Sequence, residues 1–204
     1  MGLLEGSMSL QSCLVLGPSP SERDIVGGLA QDQFRPFEDG LEEERIGWTD
    51  WRNPMIVPAD PDWVIQERFA LFMLRIDTRR VPPAILKAHV DLRMQQLMKE
   101  KDLAFVGKEA RISVADEVKA ELLRKVLPTP TIVHLAWDLK GGTLYTTGTG
   151  SKAMGALTSL MMKSFGCEIQ PESPLLWAGR IAPHLPVEGL MALDPLDLTL
   201  DEEE

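Results

Sequence analysis

The sequence predicts an α+β fold in which antiparallel sheets pack against helices and a helical hairpin protrudes. Two observations carry this prediction. Two long stretches with apolar residues at three- and four-residue spacing follow each other between positions 83 and 127, and a Lys-Gly-Gly turn at 140–142 separates two strand-like segments. The 204 residues are 44% hydrophobic and 25% charged, a composition typical of a globular protein with one sizeable core or two small ones.

The first 77 residues are predicted to contain two strands, a helix and a loop. Residues 7–16 are rich in Leu and Val and predict a strand, and Ser21 is the expected N-cap of a helix that runs to about Gln31. The acidic loop that follows holds Trp48 and Trp51, which we expect to pack as anchors. Residues 53–62 contain three prolines and predict irregular structure. Residues 64–77 predict a central strand, because Phe69–Leu74 are apolar at every position.

A helical hairpin is predicted over about 83–127. Pro82 and Pro83 precede a helix whose apolar face repeats at helical spacing, and Ser113 is the expected N-cap of the second helix, about ten residues after the first. The apolar positions are Ile85, Leu86, Val90, Met94, Leu97 and Met98 in the first helix and Val114, Val118, Leu122 and Val126 in the second.

A β-hairpin and one more helix complete the predicted domain. Residues 131–138 and 144–149 predict its two strands, Ser151 is the expected N-cap of a helix that ends at Gly166, and residues 167–169 predict a short strand. We therefore expect an α+β domain over 1–170, with the helical hairpin as a subregion. Residues 171–204 are expected to form a proline-rich, acidic C-terminal tail.

Charge is distributed unevenly along the chain. The net charge is −10, yet residues 75–125 hold 12 basic and 8 acidic side chains, against 5 and 13 in residues 1–74 and 4 and 10 in residues 126–204. A negative total therefore does not exclude a polyanion-binding face on the middle third, although a mixed, solvated helical surface is the alternative. No stretch of 18 apolar residues or secretory leader is recognisable, and the two cysteines form no disulfide framework, so a reduced, cytoplasmic protein is expected.

Local motifs give little support for an enzyme, and neither a cofactor nor a metal is predicted. Gly148-Thr-Gly150-Ser-Lys-Ala153 fits a dinucleotide-binding pattern, but the preceding strand is predicted to be antiparallel, which favours a plain strand–helix junction. Asp62 and Asp138-Leu-Lys140 loosely resemble a metal-dependent nuclease set. The three histidines lie far apart in the sequence without ligand spacing. The motifs do not decide whether the protein is an enzyme, and on balance they favour a protein without catalytic activity.

Four segments in the same order resemble the RdgC family of recombination-associated proteins. They are the opening Met1–Leu10, the Ile46-Gly47-Trp48 element, the stretch Phe69–Leu86 with its Arg79-Arg80-Val81-Pro82-Pro83, and Leu135–Asp138 with the following β-hairpin and Ser151–Ala153 helix. The resemblance spans roughly residues 1–168. It implies a ring-shaped homodimer that encloses double-stranded DNA, binds it largely without sequence preference and restrains a recombinase.

The resemblance and the basic middle third together suggest a DNA-binding surface and a cytoplasmic, nucleoid-associated protein. Basic residues on helices with few aromatic neighbours suit phosphate contacts rather than base readout. The alternatives are a protein-interaction or regulatory module without DNA binding and a metal-dependent exonuclease. The candidate DNA-binding residues are Arg75, Arg79, Arg80, Lys87, Lys119, Arg124 and Lys125.

Overall fold

The computed structural model describes residues 9–38, 41–57, 60–102, 105–184 and 189. Strands and helices alternate irregularly along the chain. In order they are β1 (Gln11–Leu16), α1 (Glu22–Gln31), β2 (Glu44–Thr49), α2 (Pro61–Val64), β3 (Ile65–Gln66), β4 (Phe69–Thr78), α3 (Pro83–Glu100), α4 (Lys108–Lys125), β5 (Thr129–Asp138), β6 (Thr143–Thr146), α5 (Ser151–Phe165), β7 (Glu168–Pro171) and α6 (Pro174–Ile181).

The strands form one antiparallel sheet in the order β2-β4-β5-β6-β1-β7, and the short β3 pairs with β4 beside β2. The longest ladder joins β4 to β5, from Phe69 opposite Asp138 to Thr78 opposite Thr129. This arrangement confirms the α+β prediction with antiparallel pairing. The predicted strand over 64–77 is divided, because the chain turns through Glu67, whose φ is 56°, between β3 and β4.

The main core lies between one face of the sheet and helices α1 and α5. Alternate residues of β4, including Phe72 and Leu74, pack there with Leu29 of α1 and Leu157 of α5. Helix α1 follows the prediction, because Ser21 caps it by accepting a hydrogen bond from the Asp24 backbone nitrogen.

The predicted acidic loop around Trp48 is wrong, because residues 44–49 form strand β2. Trp48 lies opposite Leu74 of β4 and is fully buried in the core, with its ring edge-on to Phe72 at 5.2 Å between centroids. The indole nitrogen donates to Ser164 Oγ at 2.8 Å. The expectation that Trp48 is an anchor is therefore confirmed, although the element that carries it is an edge strand.

Helices α3 and α4 form the predicted hairpin, inserted between β4 and β5 at the end of their ladder. They pack through an apolar cluster of their own, built around Met94, Val114 and Val118. The prediction that Ser113 caps the second helix is wrong. Helix α4 begins at Lys108, after Gly107, because the intervening Lys, Glu, Ala and Arg residues all favour helix.

The C-terminal elements follow the prediction up to β7. Helix α5 has Gly150 rather than Ser151 as its N-cap and ends at Gly166, whose φ of 65° suits glycine. Helix α6 is capped by Ser173 and lies within the predicted tail, where the sequence predicts no helix. The acidic residues 201–204 lie outside the described residues. A bilayer-crossing helix, judged by length and hydropathy, is not found in the described part of the chain.

Candidate nucleic-acid interface

Arg75 is committed to an internal ion pair. Its side chain lies on β4 and is 8% exposed, and it donates from Nε and Nη2 to the two carboxylate oxygens of Asp77 at 2.7 and 2.8 Å. Nη1 donates to the Pro54 carbonyl oxygen at 3.0 Å, and the guanidinium lies 4.2 Å from the Phe34 ring centroid. Its charge is therefore neutralised inside the protein, and it pins the segment around Pro54 onto the sheet.

Arg79 follows the end of β4 and is half-buried against an aromatic ring. Its guanidinium lies 4.1 Å from the centroid of Phe37, and its backbone nitrogen donates to the Glu43 carbonyl oxygen at 2.8 Å. Together with Phe37, Glu38 and Arg124, it lines a cavity of about 260 Å³. The structure therefore brings two of the seven candidate residues, Arg79 and Arg124, to one site.

Four candidate side chains remain exposed on the hairpin and beside it. None of them has a carboxylate within 4.0 Å among the residues that the structure describes. Arg80 follows β4, Lys87 lies in the second turn of α3, and Arg124 and Lys125 end α4. Such side chains are free to exchange their counterions for phosphates.

Lys119 differs from those four because it forms an ion pair with an acidic residue. Its Nζ lies 2.5 Å from Glu43 Oε1, and that hydrogen bond raises the pKa of Lys119 above its usual value. Glu43 belongs to a run of three glutamates, each paired with a base from a different element. Glu42 pairs with Arg45 of β2, and Glu44 pairs with Lys152 of α5. The run therefore ties α4 and α5 to the start of β2.

A groove between α3 and α4 holds a basic residue that the candidate set omitted. His89, Arg93 and Gln96 line it from α3, and Glu121 and Lys125 line it from α4. Arg93 stands four residues after His89, so both face the same side of α3. The four-residue spacing of His89 and Arg93 is visible in the sequence. Only the packing of α3 against α4 shows that Arg93 and Lys125 line the same groove.

The two competing motifs have structural roles. Asp138 Oδ1 accepts hydrogen bonds from the backbone nitrogens of Lys140 and Gly141, and Oδ2 lies 3.1 Å from Arg68 Nη2. Asp138 therefore shapes the β5–β6 turn. Gly148 and Gly150 lie between an antiparallel strand and α5, as the preferred interpretation predicted, rather than in a parallel dinucleotide-binding unit.

The sequence matches the model of a known protein family. The model described as "Putative exonuclease, RdgC" matches residues 17–174, which is more than half of the chain. The matched residues run from the residue after β1 to the first residue of α6 and include the α3–α4 hairpin and all seven candidate residues. No curated protein matches the sequence. The chain belongs to the RdgC family.

Proposed function

We propose that this protein binds double-stranded DNA without sequence preference, through the α3–α4 hairpin and the adjoining end of β4, and that it acts in DNA recombination. One observation carries the proposal. Arg80, Lys87, Arg124 and Lys125 are exposed and have no carboxylate partner among the described residues, whereas the acidic run at 42–44 is occupied by basic partners. Basic side chains in this state contribute phosphate contacts that position a duplex without reading its bases.

Family membership supports the recombination part of the proposal. On the resemblance described above, we further propose a homodimer that modulates a recombinase and resides with the nucleoid. The mass in solution tests the assembly. A homodimer has twice the 22.7 kDa of the chain, and light scattering with and without a duplex distinguishes a pre-existing dimer from one assembled on DNA.

Fluorescence anisotropy with a labelled duplex over a range of salt concentrations tests DNA binding. We expect the logarithm of the association constant to fall linearly with the logarithm of salt concentration, by about 0.9 per phosphate contacted. The double variant Arg124→Gln/Lys125→Gln is expected to weaken binding equally for unrelated sequences and to reduce that slope by about 2. Absence of binding by the unaltered protein at low salt contradicts the proposal.

A matched variant controls for net charge. Arg23 on α1 and Lys140 in the β5–β6 turn are exposed and lie outside the proposed surface. Arg23→Gln/Lys140→Gln removes the same number of positive charges as the hairpin variant. If only the net charge of the protein matters, the two variants weaken binding equally. Equal losses in the two variants contradict the assignment to the hairpin.

Nuclease activity, the alternative that the family description names, has a separate test. Incubation of a labelled duplex with Mg²⁺ or Mn²⁺ measures degradation directly. Asp138 is one of the two carboxylates in the nuclease-like set, with Asp62, but its oxygens shape a turn and contact Arg68. We therefore expect Asp138→Asn to lower stability and to leave any divalent-cation-dependent degradation by the folded protein unchanged. Loss of degradation in a folded Asp138→Asn variant favours the nuclease.

A further inference from the structure

We propose that the cavity between Phe37, Glu38, Arg79 and Arg124 is a phosphate-group site, which a backbone phosphate of the bound duplex occupies. This inference rests on the proposed function for the source of the phosphate. The cavity measures about 260 Å³, below the range of about 300 to 1,000 Å³ that is typical of pockets for drug-sized ligands. Its size suits a small anion or one group of a larger molecule.

Arg79 has a donor atom that no described residue satisfies. Arg79 Nε is enclosed and has no hydrogen-bond partner among the described residues. An enclosed donor without a partner is costly, so the described residues do not fully satisfy the Arg79 guanidinium. Arg45 gives the contrast, because it faces the same Phe37 ring at 5.8 Å but is satisfied by Glu42 and by the Pro36 carbonyl oxygen. Of the two guanidiniums on this ring, Arg79 is the one without a carboxylate within 4.0 Å in the described part of the protein.

The two arginines approach the cavity from different elements of the fold. The Arg79 guanidinium carbon lies over the Phe37 ring, 4.1 Å from its centroid, and the Arg79 backbone nitrogen donates to the Glu43 carbonyl oxygen at 2.8 Å. A planar guanidinium held in this way presents its donors to a phosphate without a large loss of side-chain entropy. Arg124 reaches the same cavity from the last turn of α4. A phosphate between them joins the end of β4 to the hairpin.

The neighbours of the two arginines connect the cavity to the proposed DNA surface. Arg80 and Lys125 are adjacent in sequence to the two cavity arginines and are exposed. Glu38 is the only acidic residue in the described lining, and it is exposed without an ion pair to any described base. Glu38 therefore weakens the site by repelling an incoming phosphate.

Arginine side-chain NMR tests the site with inorganic phosphate as the probe. In the full chain, the Nε–Hε resonances of Arg79 and Arg124 are expected to shift together and to saturate on one binding curve, while that of Arg80 stays in place. Glu38→Gln is expected to tighten phosphate binding about twofold to fivefold, the size of one exposed charge contact. Linear shifts without saturation, or equal shifts at Arg80, overturn the site.

Duplex titration then tests the source of the phosphate. Arg79→Gln and Arg124→Gln are each expected to weaken duplex binding about tenfold, as the loss of a charged hydrogen bond predicts. The Arg23→Gln variant serves as the control. Arg124 is exposed at a helix end, so its variant remains informative even where Arg79→Gln disturbs folding.

The outcomes separate this inference from the proposed function. Duplex binding by the unaltered protein, with Arg79→Gln and Arg124→Gln both equal to Arg23→Gln, overturns the phosphate site and leaves DNA binding to Arg80, Lys87 and Lys125. Saturable phosphate binding by a protein that binds no duplex at low salt supports the site, assigns it to a free phosphate compound and overturns the function.

Discussion

Replacement of Arg75 is expected to reduce stability and to leave the DNA affinity of the folded protein unchanged. The side chain is one of the seven candidate contacts, but it lies beneath the Pro54 segment and forms a two-bond ion pair with Asp77, which is 1% exposed. A group that points into the protein contributes to its free energy of folding rather than to a phosphate contact. Arg75→Met is the best perturbation, because a flexible thioether suits the space against Phe34.

The expected size follows from the burial of the partner. Arg75→Met leaves the Asp77 carboxylate enclosed without its counter-charge, and removal of one member of a buried ion pair costs about 3–5 kcal/mol. An exposed pair is worth only about 0–1 kcal/mol. A loss of about 4 kcal/mol lowers the melting temperature of a protein of this size by about 8–16 °C. The double variant Arg75→Met/Asp77→Leu removes both charges and is expected to recover most of the loss.

Urea denaturation of the unaltered protein, the two single variants and the double variant gives the coupling energy. Duplex affinity is then measured at a temperature where all four proteins are folded, with Arg80→Gln for comparison. A coupling energy below about 1 kcal/mol refutes the energetic argument, since it is the value of a surface pair. A folded Arg75→Met protein that binds DNA as weakly as Arg80→Gln refutes the assignment of Arg75 to the interior.

Three further predictions concern packing, charge and pH. Gly47→Ala places a methyl carbon 2.5 Å from the Phe34 backbone nitrogen and is expected to cost about 1–3 kcal/mol in urea denaturation, whereas Gly155→Ala meets open space and is expected to stabilise α5. Glu43→Gln frees its lysine partner on α4 and is expected to strengthen duplex binding in an anisotropy titration; unchanged or weaker binding contradicts this. Burial lowers the pKa of His134 below its ordinary 6.5, so protonation favours the unfolded chain. Stability is expected to fall as the pH drops below about 6.5, and His134→Asn should flatten that decline.

The elements that the sequence predicted well are those whose local signals agree with their tertiary environment. Phe69–Leu74 are apolar on both faces and form the first six residues of β4. The Pro82-Pro83 start and the apolar spacing match the observed helix α3. Strand β2 was missed because Glu44 and Arg45 give it the composition of a loop. Its strand character comes from pairing with β4 and from the burial of Trp48.

The candidate site could be predicted only as a region. Residues 75–125 are rich in basic side chains, but the sequence does not say which of them an acidic neighbour occupies. Arg75 meets Asp77 two residues away on the same face of β4, a pairing that period-two alternation makes possible. Lys119 meets Glu43 across 76 positions of sequence, and only the fold brings them together. Phe37 and Glu38 belong to no sequence motif, and only the fold places them beside Arg79 and Arg124.

The pairing of the acidic run explains how a chain with a net charge of −10 can present a surface for a polyanion. Glu42, Glu43 and Glu44 each direct a carboxylate to a separate base, so the charges of this acidic run are neutralised within the protein. Screening over a Debye length of about 8 Å then limits how strongly more distant carboxylates act on the exposed bases of the hairpin. Binding under these conditions depends on the local sign of charge rather than on the total. Removal of acidic residues far from the hairpin should therefore change duplex affinity less than Glu43→Gln, although each removes one charge.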